Sequence, residues 1–371
     1  MFNTELGRIG ARRDRKDVVQ DAERGNVTAD GLCDAHARRR SLILRGRLPP
    51  FRQHPLFPGG HAQTLAGVFL PGRNYLYGAA QHRVRLSDGD EIVLHDDCPD
   101  EWRPGMRTAL LIHGLAGCHL SSYMQRVAAK LAALGLRVFR MDLRGCGAGF
   151  GLARLPYHSG RSEDAAAALE EIAQRCPASS TTLVGFSLGG NITLKLLGEL
   201  GEQTCGGLDS AVAICPPIDL QAAIERIALP LNRLYDRHFI KLLLQQARER
   251  QRVLPDAPPV NFARPPRGLW EFDDGYTAPV SGFGDAANYY RQASSARLIP
   301  NIRRPTLVIA SRDDPLVPWR PFLGVETPDC VQVEITERGG HLGYVARAGA
   351  DPDRRWLDWR IVEWIAEFEA A

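Results

Sequence analysis

The runs "TALLIHG" (108–114), "TTLVGFS" (181–187) and "PTLVIAS" (305–311) each hold an unbroken stretch without a polar side chain, at 109–112, 183–186 and 307–310. A strand with one wet face alternates apolar and polar residues, so short unbroken apolar runs read as strands covered on both faces. Helical patterns separate them. "SSYMQRVAAKLAALG" (121–135) places Val127, Leu131 and Leu134 on one face, with Gly135 as its stop. "SEDAAAALEEIAQRC" (162–176) carries acids in its first turn, with Ser162 in the N-cap position. "LRVFRMDLRG", "SAVAICPP" and "CVQVEITERGGH" read as further strands, and "QHRVRLSDGDEIVLHDD" as a hairpin about Asp88-Gly89. Strands alternating with helices require right-handed crossovers and hence a mostly parallel sheet flanked by helices, an α/β fold.

One stretch breaks the alternation. Residues 217–298 contain no strong strand. A helical run from Leu220 to Val253 has Ile224, Ile227, Leu231, Leu234 and Leu242 at helical spacing, interrupted at Pro230, and a proline-rich passage follows. An insertion here is expected to form a helical cap over the carboxyl edge of the sheet, where open α/β sheets bind ligands. Residues 1–48, rich in Arg and Asp with weak apolar periodicity, read as a poorly ordered extension. The expectation is one domain over 49–371.

Composition narrows the functional classes. With 44% apolar and 24% charged residues the 371-residue chain is that of a soluble globular protein, and a net charge of +3 gives no reason to expect nucleic acid. The start lacks a signal-peptide core, and nowhere do eighteen apolar residues run together, so no transmembrane segment is expected. Eight scattered cysteines without a CxxC pair suggest free thiols in a reducing compartment, the cytoplasm. Oligomeric state is not encoded in any feature of the sequence.

The chemistry concentrates in "GFSLG". Gly185, Ser187 and Gly189 fit G-x-S-x-G, a strand-to-helix turn that projects a strained serine above the sheet edge and over a helix N-terminus. A phosphate loop is the competing reading of these glycines, but it needs Lys where Asn191 stands. "GCGAGFG" (145–151) fails the dinucleotide pattern because Phe150 replaces its third glycine. A serine nucleophile needs a base, and the base an orienting carboxylate. In this topology they follow in the order acid, then His. His341 in "RGGHLGYV" is the only histidine after Asp313 and Asp314. Asp314, directly before Pro315-Leu316-Val317-Pro318, is chosen as the acid, and Asp313 as a turn or capping residue. "LLIHGLAGC" supplies a loop after a strand, in which the Leu115 N–H joins that of Leu188 as an oxyanion hole and His113 braces the loop. No metal or organic cofactor is called for.

These motifs, together with "HAQT" (61–64), "SDGDEIVLH" (87–95), "MDLRGCG" (141–147), "YHSGRSED" (157–164), "FDDGYTAPVSGF" (272–283) and "DDPLVP" (313–318), make the chain from about residue 50 onward resemble the YheT-like branch of the α/β-hydrolases. That branch also contains ABHD-type lipases and medium-chain fatty-acid ester synthase/esterases. The resemblance implies an α/β-hydrolase fold and cofactor-free cleavage of carboxylic esters of short or medium acyl chains, or of acylglycerols. It departs from the usual pattern at Gly59-Gly60, Ala116 and Cys118, positions in loops around the pocket that bear on substrate preference.

Two rival functions remain open at this stage: transfer of the acyl group to an alcohol by the same residues, and a non-catalytic binding protein on the same fold. Arg144, His158 and Asp273 read as structural. His95 and Asp100 have the H-x-x-x-x-D spacing of some acyltransferases but flank a hairpin end. The cap arginines 226, 233, 237, 248, 250 and 252 read as a solvated face, with weak contact to an anionic membrane surface as the alternative. The C-terminal stripe Leu357, Ile361, Trp364, Ile365 and Phe368 reads as core.

Overall fold

A computed structural model describes residues 48–70 and 78–368. The reading of 1–48 as an extension therefore lies, but for its last residue, outside the described residues. The eight described strands are β1 (Ala80–Arg85), β2 (Glu91–Asp97), β3 (Thr108–Ile112), β4 (Arg137–Asp142), β5 (Thr181–Phe186), β6 (Leu208–Ile214), β7 (Thr306–Ser311) and β8 (Val331–Thr336). They form one sheet in the order β1-β2-β4-β3-β5-β6-β7-β8. Only β2 runs against its neighbours; from β4 to β8 the pairing is parallel.

The central strands β3, β5 and β7 are buried at every position, as unbroken apolar runs require when helices cover both faces. Among the described residues the helices of eight or more residues are α1 (Gly59–Phe69), α2 (Ser122–Ala132), α3 (Ser162–Arg175), α4 (Leu188–Leu200), α5 (Leu220–Ile227), α6 (Arg233–Val253), α7 (Ala286–Ala293) and α8 (Trp356–Glu367). The β1–β2 turn carries Gly89 at φ +86°, and Gly135 ends the turn after α2 at φ +87°, left-handed conformations that glycine adopts without strain.

Two local expectations are corrected. Ser162 is the first residue of α3 and not its N-cap; Arg161 takes the cap position without a side-chain bond. The Ser162 hydroxyl instead donates to Glu199 on α4, a tertiary bond that outcompetes the local one. The apolar stripe drawn from Ile224 through Leu242 does not run as one face. A 3-10 turn at Pro230–Asn232 separates α5 from α6 and resets the helical phase, leaving Leu231 84% and Leu234 78% exposed. The buried residues of α6 are Asp236, Ile240, Leu243, Leu244, Ala247 and Arg250.

The C-terminal helix α8 is buried nearly all round, and Asp358, the buried acid of its first turn, is paired with cations of α2. Arg126 Nε and Lys130 Nζ, a turn apart on α2, both donate to Asp358 Oδ2 at 2.9 Å. Burial alone would raise the Asp358 pKa, but the two cations outweigh it and pull it down to about 2. A carboxyl depressed on folding stabilises the native state above its unfolded pKa, and that stability drains away as pH falls through the folded value. The contribution is about 2 kcal/mol. Asp358→Asn is therefore expected to lower the urea-unfolding free energy by about 2–4 kcal/mol at pH 7. The gap to the wild type should narrow steadily as the pH falls from 5 to 2.

Candidate active site

The site forms at the carboxyl ends of the parallel strands. Between β5 and α4 the chain turns so sharply that Ser187 adopts φ 54° and ψ −117°. That conformation strains a side-chain-bearing residue by about 1–3 kcal/mol and persists only where the surroundings impose it. Gly189 is one such constraint: a Cβ there would lie 2.4 Å from the carbonyl oxygen of Ile112, so α4 can start against β3 only with glycine at that position.

The loop after β8 brings His341 over this turn. Its Nε2 lies 2.9 Å from Ser187 Oγ, and its Nδ1 lies 2.8 Å from Asp314 Oδ2. Asp314, in the loop after β7, is 2% exposed, and its other oxygen accepts the backbone N–H groups of Leu316 and Val317 at 2.7 and 2.9 Å. With Oδ1 committed to the backbone, Oδ2 is held toward the imidazole. Nδ1 donates to that carboxylate, which leaves Nε2 as the acceptor facing the hydroxyl. Asp313 points elsewhere: its Oδ1 accepts from Gly340 N–H at 2.9 Å and Ser311 Oγ at 3.1 Å, tying the loop that precedes His341.

The "HAQT" segment, whose motif carried no role in the sequence, braces both loops from α1. Thr64 Oγ1 accepts the His341 N–H at 2.9 Å, and Gln63, fully buried, accepts from Val345 N–H at 2.8 Å and donates to Phe57 O at 2.9 Å. Gly60 passes so close to the acid loop that a Cβ would fall 1.7 Å from Asp313 O. Position 60 thus admits no side chain in this arrangement.

Beside Ser187 runs the loop after β3. A Cβ on Gly114 would lie 3.0 Å from Ser187 Cβ. The Gly114 N–H donates to Tyr123 OH and the Ala116 N–H to Tyr157 OH, each at 2.9 Å, and the Gly117 N–H donates to Gly114 O at 3.0 Å. Leu115, between them, lines the pocket next to Ser187 and Leu188. Leu188 is the first residue of α4, whose N–H has no partner within the helix. His113 is fully buried, donates from Nδ1 to Gly114 O at 2.8 Å and accepts the Leu143 N–H at Nε2. Burial lowers its pKa, so it braces the loop as a neutral ring.

A second buried cluster lies behind that loop. Asp142 Oδ2 receives His95 Nε2 at 2.9 Å and His119 Nδ1 at 2.7 Å, and the two imidazoles stack at 3.4 Å. His95 thus pairs with Asp142 and not with Asp100, which removes the acyltransferase-type spacing as a site. These donors, and the group of Cys215, Asp314 and His341, are of kinds that ligate metals. In each group the imidazole nitrogen that faces the carboxylate is already spent in a hydrogen bond to it.

The pocket over Ser187 has an empty volume of about 910 Å³, its mouth included. Its walls are mostly apolar, with Leu220, Ala223, Ile224, Ile227, Leu243 and Phe272 from the segment between β6 and β7. That segment also sends Arg226 Nη2 to Asp314 O at 3.0 Å and Asn232 Nδ2 to Pro315 O at 2.6 Å, so it grips the acid loop as well as roofing the pocket. Asp273, read as structural, turns out to line this pocket from a π-helical turn (Asp273–Thr277), a distortion frequent at functional sites. Burial pushes its carboxyl up to about 6, and Tyr290 OH donates to it at 2.8 Å. Arg250 lines the pocket too and is 3% exposed, which corrects its assignment to a solvated face. Its spacing from Leu243 and Ala247, seven and three residues, was the signal that it shares their inner stripe. Arg144 is structural, as expected, held between Asp88, Asp90 and Asp164.

The fold and this site define an α/β-hydrolase, and the chain belongs to that family, in its YheT-like branch: the profile of the alpha/beta hydrolase fold matches residues 109–347. It is 31% identical to YheT of Escherichia coli (strain K12) over 318 residues, 84% of this chain and 92% of that protein. It is 27% identical to "Monoacylglycerol lipase" of Saccharomyces cerevisiae, covering 91% of this chain and 70% of the relative. Among solved structures, Est1E from Butyrivibrio proteoclasticus with bound ferulic acid matches with a TM-score of 0.51 at 15% identity, over 78% of this chain and all of that one. Among the described residues no helix is long and apolar enough to cross a membrane.

Proposed function

We propose that this chain is a serine hydrolase that cleaves carboxylic esters of short or medium acyl chains, or acylglycerols, through an acyl-enzyme. The observation that carries the reading is the hydrogen-bonded chain Ser187–His341–Asp314, at 2.9 and 2.8 Å, opening into an apolar pocket. His341 takes the hydroxyl proton as Ser187 attacks the ester carbonyl, and Asp314 stabilises the imidazolium that forms. The N–H groups of Leu115 and Leu188 receive the oxyanion, each such donor being worth roughly 10²–10³ in rate. His341 then returns the proton to the departing alcohol, and water attacks the acyl group by the same route in reverse.

Esterase and lipase relatives at about 30% identity support the reaction class. The pocket's apolar roof supports a lipid-like acyl chain, and its contacts support treating 49–371 as one domain with 217–298 as its cap. Seven unpaired cysteines among the described residues support a reducing compartment, the cytoplasm. A panel of 4-nitrophenyl esters from acetate to laurate, with monoacylglycerols alongside, tests the proposal. Turnover is expected to peak at an intermediate chain length; a folded protein that hydrolyses none of them contradicts it.

A further inference from the structure

Six arginines are buried among the described residues, and five of them answer to carboxylates. Arg107 pairs with Asp209, Arg126 with Asp358, Arg140 with Asp97, Arg144 with Asp88, Asp90 and Asp164, and Arg360 with Asp351 and Glu363. Arg250 is the exception. It is 3% exposed, and among the described residues no carboxylate lies within 4.0 Å of it and its Nε has no hydrogen-bond partner. The one hydrogen bond of its guanidinium is from Nη1 to Tyr276 OH at 3.3 Å. A guanidinium does not shed its proton, so burial cannot be relieved by neutralisation as it can for Lys or His.

This uncompensated cation is in the wall of the pocket that contains Ser187 and His341, and it has no hydrogen bond with either. Tyr276 and the Gly145 turn hold it in place; a Cβ on Gly145 would lie 3.0 Å from its Nη2, so glycine there leaves the fork its room. Asp273, the acid of the same wall, is not its counter-ion: it is engaged by Tyr290 instead, and burial raises its pKa to about 6. The free donors of Arg250 form a planar fork whose geometry matches an oxyacid.

We infer that Arg250 is a specificity residue that pairs with an anionic oxyacid group, a carboxylate or phosphate, carried by the ester substrate away from its scissile carbonyl. The inference rests on the ester-hydrolase reading, and its test separates the two. Two substrate pairs differ only in the anion: the mono-4-nitrophenyl ester of suberic acid against its ω-methyl ester, and 1-octanoylglycerol 3-phosphate against 1-octanoylglycerol. The readout is the ratio of kcat/KM, anionic over neutral, within each protein, which cancels differences in the fraction folded.

Wild type is expected to favour the anion by about 10–100-fold in at least one pair, and that pair identifies carboxylate or phosphate. Arg250→Met should bring the ratio to about one or below, and Arg250→Lys should fall between. A wild-type ratio of one or less in both pairs, or a ratio that Arg250→Met leaves unchanged, overturns the inference. If none of the four esters is turned over, the hydrolase reading fails instead. Calorimetry of octyl phosphate and of suberic acid monomethyl ester with Ser187→Ala then decides the anion site alone. Adding Arg250→Met should weaken one of these at least tenfold, and equal affinity overturns the site.

Discussion

Ser187→Ala is expected to reduce kcat for the best 4-nitrophenyl ester by about 10⁴–10⁶ while the protein keeps its fold. The hydroxyl is the atom that makes the acyl bond, so its removal leaves only binding and the oxyanion donors. The substitution removes one oxygen whose hydrogen-bond partner is His341, which stays anchored by Asp314 and by Thr64. Thermal unfolding should therefore stay within a few degrees of the wild type, because Ala keeps the Cβ and with it the backbone situation at φ 54°. Retention of more than a tenth of the activity would mean that the ester is attacked by another group.

The second large effect separates two adjacent aspartates. Asp314→Asn should lower kcat by about 10⁴, because an amide at 2.8 Å from His341 Nδ1 favours the tautomer that turns a proton toward Ser187. Asp313→Asn should cost about tenfold or less, since that carboxylate acts on the backbone of Gly340 and on Ser311, and an amide oxygen can still accept from both. Steady-state kinetics on the two variants, with circular dichroism as a check on folding, reads both effects. Equal losses would mean that the two carboxylates share the role.

The parts of this molecule that were legible in the sequence are those fixed by local pattern. Unbroken apolar runs mark β3, β5 and β7 because both faces of those strands are covered, and a serine set among glycines marks the turn before α4. Chain order singled out Ser187, His341 and an aspartate at 313 or 314, and the turn residues after Asp314 favoured the one whose side chain lies in a hydrogen-bonded line with the other two. Features that depend on long-range geometry were not legible. Thr64 touches His341 across 277 residues of chain, and His95 meets Asp142 across 47, so neither partner could be read from spacing. Arg250 was hidden for a different reason. Charge composition suggests solvent, and only the helical phase of α6, reset by the turn at Pro230, puts this arginine on the inner face with Leu243 and Ala247.

The phase reset also explains how one insertion serves two purposes. On α6, Leu243, Ala247 and Arg250 line the pocket, and the preceding turn frees Asn232 to hold Pro315 O beside the acid. Substrate space and acid loop are thereby built from the same segment, so substitutions in α5 or α6 will tend to change chain-length preference and kcat together.

Reaction with a fluorophosphonate ester, read by intact mass and peptide mapping, tests the central claim most directly, because it reports an activated serine without requiring the natural substrate. One phosphonyl adduct per wild-type chain is expected, on Ser187, strongly slowed in Asp314→Asn and absent in Ser187→Ala. A folded wild-type protein that takes up no label, or takes it up at another residue with Ser187 unmodified, would contradict the account.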